Sequence, residues 1–328
     1  MNFKRTIRYF LAAAAFAATA STASAETKWI MASGYADTNF MTQNIQKFIE
    51  DVSAATGGEL AITLHSNGTL IKLDGIRRAV QTNQVQIGEI RLGSYSNEDP
   101  MYNLAGLPFV AGDYESAWKL MEAQKPYFDA MFDKLGFKAL AYQPWPGQGF
   151  YTKKPVNGLA DFAGQKLRIY SKATQDMGNA LGFEATILPF AEIPQAFATG
   201  LIDALFTSPQ TGIDIQAWDN TDYFTAAGAI YTKNAIIVNK DAFEALPEDA
   251  QAAVIAAGEA ATKRGWEMSE AVYGEQLDIL KSNGMTVTDA PAEIMDKLKE
   301  IGGTMMEEWK ASASEDAIAV LTTYQSSM

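Results

Sequence analysis

The chain has 328 residues, with 26 Lys+Arg against 39 Asp+Glu, a net charge of −13, one histidine and no cysteine. That acidity repels nucleic acid and anionic lipid surfaces. The missing cysteine excludes disulfides, thiol nucleophiles and thiolate metal sites.

The first 25 residues read as a secretory signal peptide. Lys4, Arg5 and Arg8 give a basic start, an apolar run follows from Phe10 to Ala20, and Ala23-Ser24-Ala25 supplies small residues for cleavage. The run is about 11 residues, where crossing a bilayer takes roughly 20. Cleavage after Ala25 takes 25 of the 328 residues and leaves 303. Three of the 26 basic residues go with it, so 23 remain against 39 acids, a net charge of −16.

A strand is expected over 28–31, then a helix whose Met41, Ile45, Phe48, Ile49 and Val52 share one face, stopped by Gly57-Gly58. Leu60, Ile62 and Leu64 alternate with Ala61, Thr63 and His65 as in a half-buried strand. His65 falls on its polar face, which removes His-dependent triads, and no HExxH zinc motif exists. A short helix through Ile76, Arg77, Ala79 and Val80 leads to a strand over 85–90. Residues 138–142 and 149–153 are extended, separated by Pro144-Trp145-Pro146-Gly147, which cannot be helical.

Strands follow over 166–170, 184–188 and 201–206, with helices over 173–181 and 194–199 closed by Gly182 and Gly200. A long strand lies within 229–238. Pro247, Glu248 and Asp249 open a helix running to 281, about three times the usual length of 11–12 residues. Gly258, Gly265 and Gly274 are its candidate bend points. A strand over 285–288 and helices with Ile294, Leu298 and Ile301 on one face complete the chain.

Alternating strands and helices predict sheets covered on both faces. Two such blocks and a long late helix predict an α/β protein of two lobes, a sheet in each, a cleft between them and the helix spanning both. The expected division is 26–147 plus about 237–275 for lobe I, and 148–236 plus about 276–328 for lobe II.

Common enzyme signatures are missing. There is no GxxxxGK[ST] loop, and Gly147-Gln148-Gly149 lacks the third glycine of a dinucleotide loop. The telling stretch is Asp161-Phe162-Ala163-Gly164-Gln165-Lys166-Leu167-Arg168-Ile169-Tyr170, where strand alternation puts Leu167 and Ile169 on one face and Arg168 and Tyr170 on the other. Taken alone, Arg168 is a charge on a strand, as ready to pair with a surface carboxylate as with a ligand.

That stretch, the turn Gly182-Phe183-Glu184-Ala185-Thr186-Ile187-Leu188-Pro189-Phe190-Ala191-Glu192 and the run Phe197-Ala198-Thr199-Gly200-Leu201-Ile202-Asp203-Ala204 together resemble the solute-binding proteins of TRAP transporters. The opening over 29–52 and the Leu-Pro-Glu-Asp-Ala-Gln run at 246–251 also match, so the resemblance covers essentially the whole chain after the signal.

The resemblance implies a two-lobed periplasmic fold that closes on a small organic acid and delivers it to sodium-coupled TRAP membrane subunits, as a monomer without a cofactor. Arg168 would bind the ligand carboxylate through a two-pronged salt bridge, and Phe190 would pack on the ligand body. Where the family often carries Asp-Gly-Gln-Glu-Asn-Pro, this chain has Asp203-Ala204-Leu205-Phe206-Thr207-Ser208-Pro209, which points to Phe206, Thr207 and Ser208 as pocket residues. The family's second basic contact falls near Gln148, and an amide there suggests a ligand with fewer charges. Position at strand ends adds Ser33, Lys72 and Arg91, and Trp145 is a further aromatic candidate. The rival readings are a receptor subunit for a periplasmic sensor and a periplasmic enzyme built on a carboxylate pair.

Overall fold

The computed structural model describes residues 26–328, so the expected signal peptide lies outside the described residues. The chain begins with β1 (Thr27–Ala32), α1 (Phe40–Ala55), β2 (Leu60–His65), α2 (Ile76–Gln81), β3 (Ile87–Arg91), α3 (Met101–Leu104), α4 (Tyr114–Lys134) and β4 (Phe137–Pro144). The middle holds β5 (Gly149–Thr152), β6 (Lys166–Ile169), α5 (Lys172–Ala180), β7 (Glu184–Ile187), α6 (Ile193–Ala198), β8 (Ala204–Thr207), α7 (Pro209–Asp214) and β9 (Tyr223–Ala226). Last come β10 (Lys233–Asn239), α8 (Lys240–Glu244), α9 (Glu248–Ser282), β11 (Thr286–Asp289), α10 (Ala292–Ser312) and α11 (Glu315–Ser326).

The strands form two sheets, in the orders β2-β1-β3-β10-β4 and β11-β9-β5-β8-β6-β7. Each is parallel at its heart, with β1 pairing β2 and β3, and β6 pairing β7 and β8. Each also takes one strand antiparallel to both its neighbours, β10 in the first sheet and β5 in the second. Those two strands follow the points where the chain crosses between lobes, at 145–148 and 227–232. The crossings are tied together, since Trp145 N donates to Thr232 O and Gly228 N to Gln148 O, at 2.8 and 2.9 Å.

All of β10 pairs within the first sheet, so 233–236 lie with that sheet although the expected division counts them with the second block. The tail is also shared between lobes. β11 joins the second sheet, but Trp309 of α10 donates to Pro100 O at 2.7 Å and Tyr324 of α11 donates to Val110 O, both acceptors in lobe I.

Helix α4 has no counterpart among the expected elements. Pro126 stands inside it, where it removes one backbone donor and would normally end a helix. An Asp113–Ser116 capping box starts α4, and the burial of Leu120, Met121, Phe128 and Phe132 holds it together.

Helix α9 runs 35 residues and packs on lobe I through α1 and β4 and on lobe II through α7 and β11. Two of its glycines are seats for close packing. A Cβ on Gly258 would collide with the Leu140 carbonyl of β4, and one on Gly265 would stand 2.9 Å from Asn44 Nδ2 of α1. Gly274 has open space around it.

Candidate ligand site

Strand alternation settles where Arg168 goes. Leu167 and Ile169 enter the apolar core of lobe II, which turns Arg168 toward the seam between the lobes. The residue is 1% exposed, and its Nε and Nη2 both donate to Leu188 O, at 3.2 and 3.0 Å. Among the described residues no carboxylate is within ion-pair distance of it. A guanidinium has five N–H donors, so one edge is fastened and the rest are free. Burial, and then the nearby charge of Arg91, push its pKa down to about 9, which leaves it cationic at neutral pH. A buried cation without an internal counter-ion is costly, and this one presents its free donors to a cavity.

Arg91 reaches the same cavity from lobe I, at the end of β3. Its Nε donates to Ser94 Oγ at 3.0 Å and its Nη2 lies 3.7 Å from Asp74 Oδ1. The two guanidinium carbons lie 5.5 Å (Arg91) and 6.0 Å (Arg168) from the ring centre of Tyr170. Two like charges on opposite lobes oppose closure, and an anion between them reverses the sign of that interaction.

The walls are aromatic. Tyr35 meets Trp145 edge-on at 5.0 Å and Phe190 at 5.5 Å, so one side of the cavity is built from both lobes and a crossing segment. A buried chain of hydrogen bonds fixes Trp145: Nε1 donates to Asn234 Oδ1 at 2.9 Å, and Asn234 Nδ2 donates to Glu89 Oε1 at 3.0 Å. An indole nitrogen only donates, which sets the Asn234 amide one way round. On the other side Tyr170 Oη donates to Gln148 Oε1 at 2.6 Å and Gln148 Nε2 to Thr232 Oγ1 at 3.1 Å. Ser208 caps α7, its Oγ accepting from Thr211 N at 3.2 Å. Outside the cavity, Asn39 of lobe I donates to Asp214 of lobe II at 2.8 Å, so the lobes are held together by polar as well as apolar contact.

The cavity is small, about 20 Å³. Of the residues expected from the sequence, Arg168, Arg91, Gln148, Trp145, Phe190, Thr207 and Ser208 line it together. Three do not. Phe206 alternates away from Thr207 and packs against Phe150 at 4.9 Å in the core. Ser33 is fully buried and donates to Glu89 Oε2 at 2.6 Å, behind the wall. Lys72 is exposed on the loop after β2. Tyr35, Tyr170, Thr211 and Thr232 complete the lining without having been expected. Tyr170 was recoverable, since it shares the strand face of Arg168. Thr232 was not, because only the sheet order shows that 227–232 crosses the seam.

Two α/β lobes closed over a small cavity that Arg168 and Arg91 enter from opposite sides have the build of a two-lobed solute-binding protein. The model of the family described as bacterial extracellular solute-binding protein, family 7 (DctP), matches residues 31–314, and the chain belongs to that family.

Among solved structures, an extracytoplasmic solute receptor of Bordetella pertussis described as binding pyroglutamic acid is 41% identical. Its TM-score is 0.89, over 91% of this chain and 99% of its own. A marine metagenome TRAP solute-binding protein described as specific for pyroglutamate is 37% identical, with a TM-score of 0.88 over 92% and 99%. The C4-dicarboxylate-binding periplasmic protein of Rhodobacter capsulatus is 25% identical over 247 residues, 73% of each chain. The chain is accordingly a receptor of TRAP transport and not an enzyme, and proteins of this family work in the periplasm with membrane partners.

Proposed function

We propose that the protein captures a small cyclic monocarboxylate, pyroglutamate or a close analogue, in the periplasm and hands it as a monomer to TRAP membrane subunits. The observation that carries this reading is a pair of guanidinium groups facing one small cavity from opposite lobes, Arg168 with no carboxylate partner and Arg91 with only the half-exposed Asp74 at 3.7 Å. A carboxylate accepts two parallel N–H bonds from Arg168 in the geometry a planar fork favours. Through Arg91 the same charge draws lobe I onto lobe II, so the closed state gains affinity that the open state lacks.

The rest of the cavity suits a ring with a neutral amide. Trp145, Tyr35 and Phe190 offer flat apolar walls, while Thr207, Ser208 and Thr232 offer hydroxyls to a lactam. The Gln148 amide stands where a second acid group would need a cation, and both its ends are already bonded. The two solved relatives at 37–41% identity are described as pyroglutamate binders, which supports the same class. Signal-peptide cleavage after Ala25 belongs to this reading.

Thermal shift and calorimetry on the purified 26–328 chain test it. Pyroglutamate should raise the melting temperature and bind far more tightly than succinate, malate or a uronate. Equal or tighter binding of a diacid, with no pyroglutamate response, would overturn the choice of ligand class.

A further inference from the structure

Thr232 lines a second cavity as well, and that one is built around a buried lysine. Lys233, the first residue of β10, is 4% exposed, and its Nζ donates to Gln124 Oε1 at 2.6 Å. Gln124 is held in turn, its Nε2 donating to Met101 O at 3.3 Å. No aspartate or glutamate lines the cavity, and among the described residues none forms an ion pair with Lys233. An ammonium has three N–H donors, so two are left after Gln124. Asn103 lines the same cavity with a buried Oδ1 that no protein group bonds. Its side-chain amide makes no other hydrogen bond, so either end can face inward.

We propose that this cavity is a binding site for a small inorganic anion of the halide class, held by Lys233 Nζ and the Asn103 amide. Burial alone pushes the Lys233 pKa down to about 7, the cost of a cation that lacks a partner, and a neighbouring anion removes that cost. The cavity volume is about 10 Å³, room for a single small group of about the size of a water.

Its position gives the anion a consequence. Ser171, the N-cap of α5 in lobe II, closes a cavity otherwise lined by lobe I and the second crossing. The lobes touch on either side, where a Cβ on Gly106 would stand 3.3 Å from Ala173 Cβ and one on Gly93 3.6 Å from Ser171 Cβ. An anion held by lobe I and covered by Ser171 of lobe II is enclosed only when the lobes are closed, so it favours the closed form and therefore solute binding.

Bromide, a chloride substitute with a strong anomalous signal, tests the site. Crystals of the full mature chain soaked in sodium bromide should show an anomalous peak within hydrogen-bond reach of Lys233 Nζ. The Lys233→Met variant, which keeps the stem's volume, should lose that peak while keeping any peak at Arg168. A water without anomalous signal at Lys233 in the wild type would overturn the proposal, whether or not the variant folds. A bromide peak that survives Lys233→Met would overturn it equally.

Discussion

Replacing Arg168 by methionine keeps the length of the stem and removes the charge and every donor. Two of those donors rest on Leu188 O, and the free ones face the cavity. Hydrogen bonds to a charged group contribute about 1.5–3 kcal/mol each. Losing a two-pronged carboxylate contact therefore costs about 3–6 kcal/mol. At about 1.4 kcal/mol per factor of ten, that is a hundredfold to ten-thousandfold weaker binding.

Stability without ligand should respond quite differently. The variant relieves a buried cation that has no counter-ion, yet it strips Leu188 O of its donors at about 1–3 kcal/mol. These oppose each other, so the melting temperature of the ligand-free protein should move by only a few degrees. Titration calorimetry with pyroglutamate, alongside scanning calorimetry of the ligand-free variant, reads both quantities. A folded variant whose Kd for pyroglutamate changes less than tenfold would show that the carboxylate is held elsewhere.

Other changes should separate the remaining contributions. Arg91→Gln removes one of two like charges on opposite lobes, so ligand binding should weaken while the ligand-free protein becomes more compact by X-ray scattering; a larger ligand-free radius would contradict the opposed-cation account. Burial raises the Asp214 pKa from 3.8 to about 6, against the lowering effect of hydrogen bonds from Gln210 and Asn39. A raised acid favours the folded state when protonated, so its contribution is full below about pH 4 and lost as pH rises through about 6. A gap of roughly two pH units corresponds to about 3 kcal/mol. Urea denaturation from pH 4 to 7 should therefore show Asp214→Asn less pH-dependent than wild type, and parallel curves would refute the assignment. Gly258→Ala should cost about 1–3 kcal/mol through its clash with the Leu140 carbonyl, whereas Gly274→Ala should gain up to about 1 kcal/mol. Equal effects of the two on melting temperature would mean that Gly258 is not a packing seat.

The amino-acid sequence by itself determined the alternation of elements and the long helix, because hydrophobic period and chain punctuation are local properties. It also put Arg168 and Tyr170 on one strand face and Phe190 on the following turn, since side-chain direction in a strand follows directly from its period of two. Local rules failed where a residue's surroundings come from distant segments. Helix α4 exists because tertiary burial of Phe128 and Phe132 outweighs the lost donor at Pro126. The glycines of α9 were legible as glycines, but only the approach of β4 and α1 shows that Gly258 and Gly265 make room for neighbours.

The site divides in the same way. Phe206 and Thr207 are adjacent in sequence and part company because one face of β8 meets the core and the other the cleft. Arg91 and Arg168 are far apart in the chain, and each alone is an ordinary strand-end charge. Only the packing of two lobes turns them into a matched pair with no acid between them, because charge complementarity belongs to the space between segments and not to either one.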